Sequence, residues 1–138
     1  ISEGLVGSEM CIRDSYGSSR NEVDRCRAEG KDVILEIDWQ GADQVRRILP
    51  DAVSVFILPP SMAELESRLR GRGQDSQDAI STRLAEAETD IAQAKRYDYL
   101  VVNEDFKRAH TELLSIVQSA RLRQERQSKR AAVAKLLG

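Results

Sequence analysis

The sequence predicts an α/β domain in three layers, a parallel sheet with helices on both faces, and three observations lead there. Short apolar runs without polar alternation occur at DVILEID (32–38), AVSVFIL (52–58) and YLVVN (99–103). Stretches of helical length and helical hydrophobic period separate them. Glycine, proline and capping residues punctuate the boundaries. Strands that are apolar throughout are those buried on both faces, and helical crossovers are what parallel strands require.

Each element follows from local chemistry. RNEVDRCRAE reads as a helix closed by Gly30 as its C′ residue. After the first strand, WQGADQVRRIL sets Ala42, Val45, Ile48 and Leu49 on one helical face, Trp39 packs at the entering turn, and Pro50 ends the helix. The second strand stops at Pro59 and Pro60. Ser61 and Glu64 form an S-x-x-E capping box, so a helix starts at Met62 with Met62, Leu65 and Leu69 inward. Beyond Gly71 and Gly73, Asp75 or Ser76 caps a longer helix, with Ile80, Leu84, Ala87, Ile91 and Ala94 inward and its end near Tyr97. From about Asp105 a long helix runs to the C-terminus, burying Ala109, Leu113, Ile116, Val117 and Ala120. Its last part, 121–135, carries six basic residues against Glu125 and reads as a basic, solvated helix. His110, the sole histidine, is expected to be solvated or packed, away from the sheet's ligand-binding rim.

Composition narrows the function. The 138 residues, 41% of them hydrophobic, suffice for the core of one domain. A net charge of −2 argues against a nucleic-acid binder. The apolar runs are far short of the roughly 20 residues that a membrane span needs. Cys11 and Cys26 show no C-x-x-C spacing and no neighbouring histidine, and no secretory signal is present, so a reducing, cytoplasmic setting is expected.

In parallel sheets ligands bind beyond the carboxyl ends of the strands. Glu36 and Asp38, two residues apart, project to one side there, and Asn103 closes the third strand in the same layer. Arg68 and Arg72 are four apart in RLRGRG, Gly71 and Gly73 loosen the helix end, and Arg83 returns in the next helix. Several guanidinium groups together suit a polyphosphate, whose oxygens they meet in planar, charge-assisted bonds. An equally weighted alternative is self-pairing with Glu64, Glu66, Asp75 and Asp78 on a solvated surface, worth only about 0–1 kcal/mol per pair.

The segments YGSSR, LEIDWQGADQVR, FILPPS, ELESRLRGRGQDS, RLAEA and YDYLVVNEDF, in this order, resemble the C-terminal part of the bacterial guanylate kinases over residues 16 to about 135. The resemblance implies a P-loop NTPase fold of the nucleoside monophosphate kinase type, truncated at the N-terminus. It also implies cytoplasmic, ATP-dependent phosphorylation of GMP to GDP in purine nucleotide metabolism. ATP is then co-substrate, and Mg²⁺ is bound through its phosphates, with no direct protein ligand. It assigns GMP binding to Tyr16, Ser18, Glu36 and Asp38, with Glu36 standing where the family carries aspartate. Arg68, Arg72 and Arg83 match the catalytic arginines of a lid spanning about 66–96, and Asn103, with Arg68 and Arg72, matches the ATP site. GMP and ATP are the expected partners, without nucleic acid or membrane, and self-association is left open.

No G-x-x-x-x-G-K-[ST] occurs in the sequence. Residues 1–15, ISEGLVGSEMCIRDS, resemble translated adaptor sequence more than the family and are expected to form a disordered, non-native leader before a guanylate kinase-like region at 16–138. The chain alone is therefore expected to be inactive, and to be poorly stable or to associate through exposed sheet surface. Scaffold proteins carry non-catalytic guanylate kinase-like interaction modules, the alternative class. The joint presence of Arg68, Arg72, Arg83 and Asn103 favours the enzyme.

Overall fold

A computed structural model describes residues 10–13, 20–73 and 76–138. The three apolar runs each contain a strand, and every strand has a parallel partner. In chain order the elements are β1 (Met10–Arg13), α1 (Arg20–Ala28), β2 (Asp32–Leu35), α2 (Trp39–Ile48), β3 (Val55–Leu58), α3 (Met62–Gly71), α4 (Gln77–Ala92), β4 (Tyr99–Val102), α5 (Phe106–Arg121), α6 (Gln124–Gln127) and α7 (Ala131–Leu137). A 3-10 turn, Ala94–Arg96, joins α4 to β4.

The parallel α/β class holds, with the described strands in two parallel pairs, β1 with β2 and β3 with β4. Three expectations are corrected. The first strand ends at Leu35, since Asp38 is already extended backbone serving as the N-cap of α2. Residues 10–13, inside the stretch expected to be disordered, pair with β2 from Met10 opposite Asp32 to Arg13 opposite Leu35. The C-terminal helix breaks after Arg121, where the Arg121 Nε donates to the Asp32 carboxylate and Arg126 turns back to donate to the Asp51 carbonyl at 3.3 Å. Long-range partners for these cations outweigh continuation of one solvated helix.

The helices begin where the capping residues dictate. The Ser61 hydroxyl accepts from the Glu64 amide at 3.0 Å, and the Ser76 hydroxyl accepts from the Ala79 amide at 3.2 Å. Gly30 adopts φ +77° after α1, in the left-handed region that glycine occupies without a Cβ penalty.

The buried apolar residues are Val23, Cys26, Ala42, Val45, Ile80, Ala94, Val101 and Ala109. Leu100 and Val102 remain 53% and 45% exposed, so one face of the β3–β4 pair lies open among the described residues. Ile48, expected inward, is 36% exposed.

A polar clasp holds the entry of β3 and β4. The Asp98 carboxylate accepts from the Ser54 amide at 2.9 Å and from its hydroxyl at 3.0 Å, while the Asp98 amide donates back to the Ser54 Oγ at 3.0 Å. Arg46 of α2 donates to the Arg96 carbonyl at 2.9 Å, pairs with Asp43 and lies 4.8 Å over the Tyr97 ring. Phe56 meets the same ring edge-on at 5.1 Å. The hydrogen bond from Arg46, assisted by the charge of Arg96 and opposed by partial burial, holds the Asp43 carboxyl below its ordinary value.

Replacing Ser54 with Ala removes the two bonds made through its hydroxyl and keeps the one from its amide, and chemical denaturation is expected to show a loss of about 1–2 kcal/mol. Because the folded-state pKa of Asp43 is depressed, its contribution is present above the ordinary aspartate value and is lost as pH falls through the depressed one. Melting temperature followed below about pH 4 should therefore fall less steeply in Asp43→Asn than in the parent.

Candidate functional site

Glu36 and Asp38 follow the carboxyl end of β2, Asn103 follows that of β4, and the arginines lie on and after the helix that follows β3. Past Leu35 the chain leaves Glu36 exposed. Asp38 is exposed too, and its Oδ1 accepts from the Gly41 amide at 2.7 Å, fixing the start of α2. A Cβ on Gly41 would stand 3.2 Å from that Oδ1 and 3.3 Å from the Ile37 Cβ, so glycine preserves the close turn. One Asp38 oxygen is thereby spent on the fold, and the other has no partner among the described residues.

At the end of β4, the Asn103 amide continues the ladder by donating to the Leu58 carbonyl at 2.7 Å. Its side chain lines a cleft of about 50 Å³ together with Ile57, Val101, Phe106, His110 and Leu113. His110 stacks on Phe106, the ring centroids 6.3 Å apart and 16° from parallel. The expectation that this histidine stands away from the rim is thus corrected: one turn of α5 carries it back beside Asn103. The His110 Nε2 is buried without a hydrogen-bond partner among the described residues.

The arginines divide. The Arg68 Nε donates to Glu64 at 3.0 Å, its Nη1 to the Asn103 carbonyl at 2.8 Å and its Nη2 to the Glu104 carbonyl at 3.3 Å. Arg70 pairs with Glu66 at 2.7 Å and reaches Gln77 of α4 at 2.6 Å. Glu64 and Glu66 thus engage two arginines of the motif through i, i+4 spacing, as the self-paired alternative had it. The side chain of Arg72, at the exit of α3, makes no hydrogen bond or ion pair among the described residues. It sits between Gly71 and Gly73, and Gly73 takes φ +64°. Arg83 is exposed on α4. Tyr16 and Ser18 lie outside the described residues.

The grip of Arg68 on backbone carbonyls and the Arg70–Gln77 bond are contacts that sequence reasoning missed. The glutamate–arginine spacing was available as a signal for half of each arrangement. The carbonyl acceptors, 35 and 36 residues further on, left none.

No group of three or more metal-ligating side chains occurs among the described residues. Glu36 and Asp38 could offer a hard divalent cation at most a few oxygens, one of them already capping α2. Such an ion would need its remaining ligands from water and from the oxygens of a bound phosphate, which suits Mg²⁺.

The family description Guanylate kinase matches residues 8–120, beginning within the stretch read as a leader. The guanylate kinase of Escherichia coli (strain K12) is 51% identical over 124 residues, covering 88% of this chain and 60% of that protein. The guanylate kinase of Salmonella paratyphi A is 50% identical over 141 residues, covering 96% of this chain and 68% of its relative. The crystal structure of guanylate kinase from Anaplasma phagocytophilum superposes with a TM-score of 0.67 at 29% identity, covering 86% of this chain and 55% of that one. The chain thus spans about 60% of the length of the first of these relatives. With parallel α/β architecture, motif order and half of the aligned residues in common, the chain belongs to the guanylate kinase family.

Proposed function

We propose that this chain serves the ATP-dependent phosphorylation of GMP. The observation that carries the proposal is the guanidinium of Arg72, without a partner among the described residues and held between two glycines, while Glu36, Asp38 and Asn103 mark the carboxyl ends of two strands. In this reading the acidic pair accepts N–H groups of guanine and stands near the metal-linked phosphates, with Tyr16 and Ser18 contributing to the same acceptor site. Asn103 reaches the adenine of the donor. Arg72 and Arg83 face the transferring phosphoryl group, and the lid about 66–96 brings them to it.

In the reaction a phosphate oxygen of GMP attacks the γ-phosphorus of ATP, the bond to the β,γ-bridging oxygen breaks, and ADP leaves. Such transfer asks the protein for alignment and for neutralisation of charge on the moving oxygens, and an arginine supplied there is worth about 10³ to 10⁵ in rate. Mg²⁺ would be held through the ATP phosphates, with Glu36 and Asp38 near it, and would supply neutralisation of their charge. A closing lid excludes water that would otherwise hydrolyse ATP. Arg72 suits this task because its charge is not already satisfied by a carboxylate of its own helix, whereas Arg70 is paired with Glu66. The reading places the chemistry in the cytoplasm, with GMP and ATP as small-molecule partners.

The sequence contains no phosphate-cradling G-x-x-x-x-G-K-[ST], so the test supplies one. Residues 16–138 are joined to the segment of the Escherichia coli relative that aligns ahead of them. Transfer from ATP to GMP is followed in a coupled assay with magnesium. The fusion is expected to turn over, and Arg72→Ala and Arg83→Ala are each expected to lower kcat by a factor of about 10³ or more. A folded fusion without GMP phosphorylation, or arginine variants as fast as their parent, would refute the proposal.

A further inference from the structure

We infer that Arg68 is a positioning residue that ties helix α3 to the Asn103–Glu104 turn, and that it sets the base-contacting asparagine before any phosphate is bound. Its three guanidinium nitrogens each donate to a protein acceptor: Glu64 one turn back on the same helix, and the consecutive carbonyls of Asn103 and Glu104 at the end of β4. A guanidinium carries five N–H donors in a fixed plane, so three committed donors orient the whole fork. Two adjacent carbonyls offered to one fork are met bidentately, which fixes the direction of the turn as well as its distance.

The turn has little else to hold it. Asn103 is tied through its amide to Leu58, and Asp105 uses its carboxylate to cap α5 by accepting from the Lys107 amide at 3.3 Å. Between these two anchors the carbonyls point to Arg68. Glu64 serves as the backstop: its amide is fixed by the Ser61 cap, and its carboxylate holds the Arg68 Nε from behind. The three positions form a chain of orientation from the N-cap of α3 to the Asn103 side chain in its cleft.

Arg68 thereby fastens the body of α3 to the end of β4. The assignment of Asn103 to the adenine rests on the function proposed above. The grip itself does not.

Amide hydrogen exchange on the full chain, read residue by residue, tests the two separately. In Arg68→Ala the amides of Asn103 and Lys107 are expected to exchange roughly tenfold faster or more, with Ser54 and Tyr99 at the opposite end of the strands unchanged. Arg68→Lys, which offers one point donor in place of a fork, should fall between the two. Glu64→Gln, which keeps an acceptor for Nε and leaves the carbonyl bonds intact, should stay near the parent. Unchanged exchange at Asn103 and Lys107 in both Arg68 variants, or equal acceleration of Ser54 and Tyr99, would overturn the inference. A loosening in Glu64→Gln as large as in Arg68→Ala would do the same. ADP is then added to the catalytically competent fusion described above: slower exchange at Asn103 supports the adenine assignment. No response to ADP alongside a loosened turn in Arg68→Ala rejects that assignment and leaves the grip standing.

Discussion

The parallel register of β3 against β4 is the constraint on which the rest of this structure depends. Val55 faces Tyr99 and Leu58 faces Val102, and both ends of the ladder are closed by polar contacts that accept only this register. At the entry Ser54 and Asp98 exchange hydrogen bonds through amide, hydroxyl and carboxylate, and the Tyr99 amide donates to the Ser54 carbonyl at 3.0 Å. At the exit the Asn103 amide donates to Leu58 and its carbonyl receives Arg68. A slip of one residue would turn Val101 out of its buried position and carry Asn103 away from the cleft, because strand side chains alternate between faces.

From that register follows the division of labour among the arginines. Arg46 belongs to the entry, where it braces Tyr97 and Asp43; Arg68 belongs to the exit, where it braces Asn103. Exposed ion pairs of the Arg70–Glu66 kind add little to stability, yet they decide which cations remain available to a ligand. Two arginines of the RLRGR motif are matched with carboxylates four residues earlier. The third emerges beyond the helix, flanked by glycines, with its charge unmatched among the described residues. The partition comes from the helix period and from where α3 stops.

Much of this was legible in local sequence. The S-x-x-E box at Ser61, the cap at Ser76 and Gly30 after α1 mark boundaries that the backbone realises, because each depends on contacts within a few residues. The two apolar runs nearest the arginines became strands for the same reason. Less legible was the end of β2, where Asp38 competes as a helix cap with its expected place in a strand, and a short local hydrogen bond wins. The tail misled as well: its basic composition describes a solvated helix, but Arg121 and Arg126 find acceptors at Asp32 and Asp51, far back in the chain.

By itself the sequence determined the order of strands and helices from α1 to α5, several of their caps, and the family to which the motifs belong, since these are written in periods of two and about 3.6 residues and in short contiguous patterns. Tertiary structure alone decided that the described strands form two separate parallel pairs, that His110 returns beside Asn103, and that Arg68 grips the carbonyls of Asn103 and Glu104. Backbone carbonyls are alike at every position, so a side chain that selects two of them across 35 residues leaves no trace in residue identity; only folding brings donor and acceptor within reach.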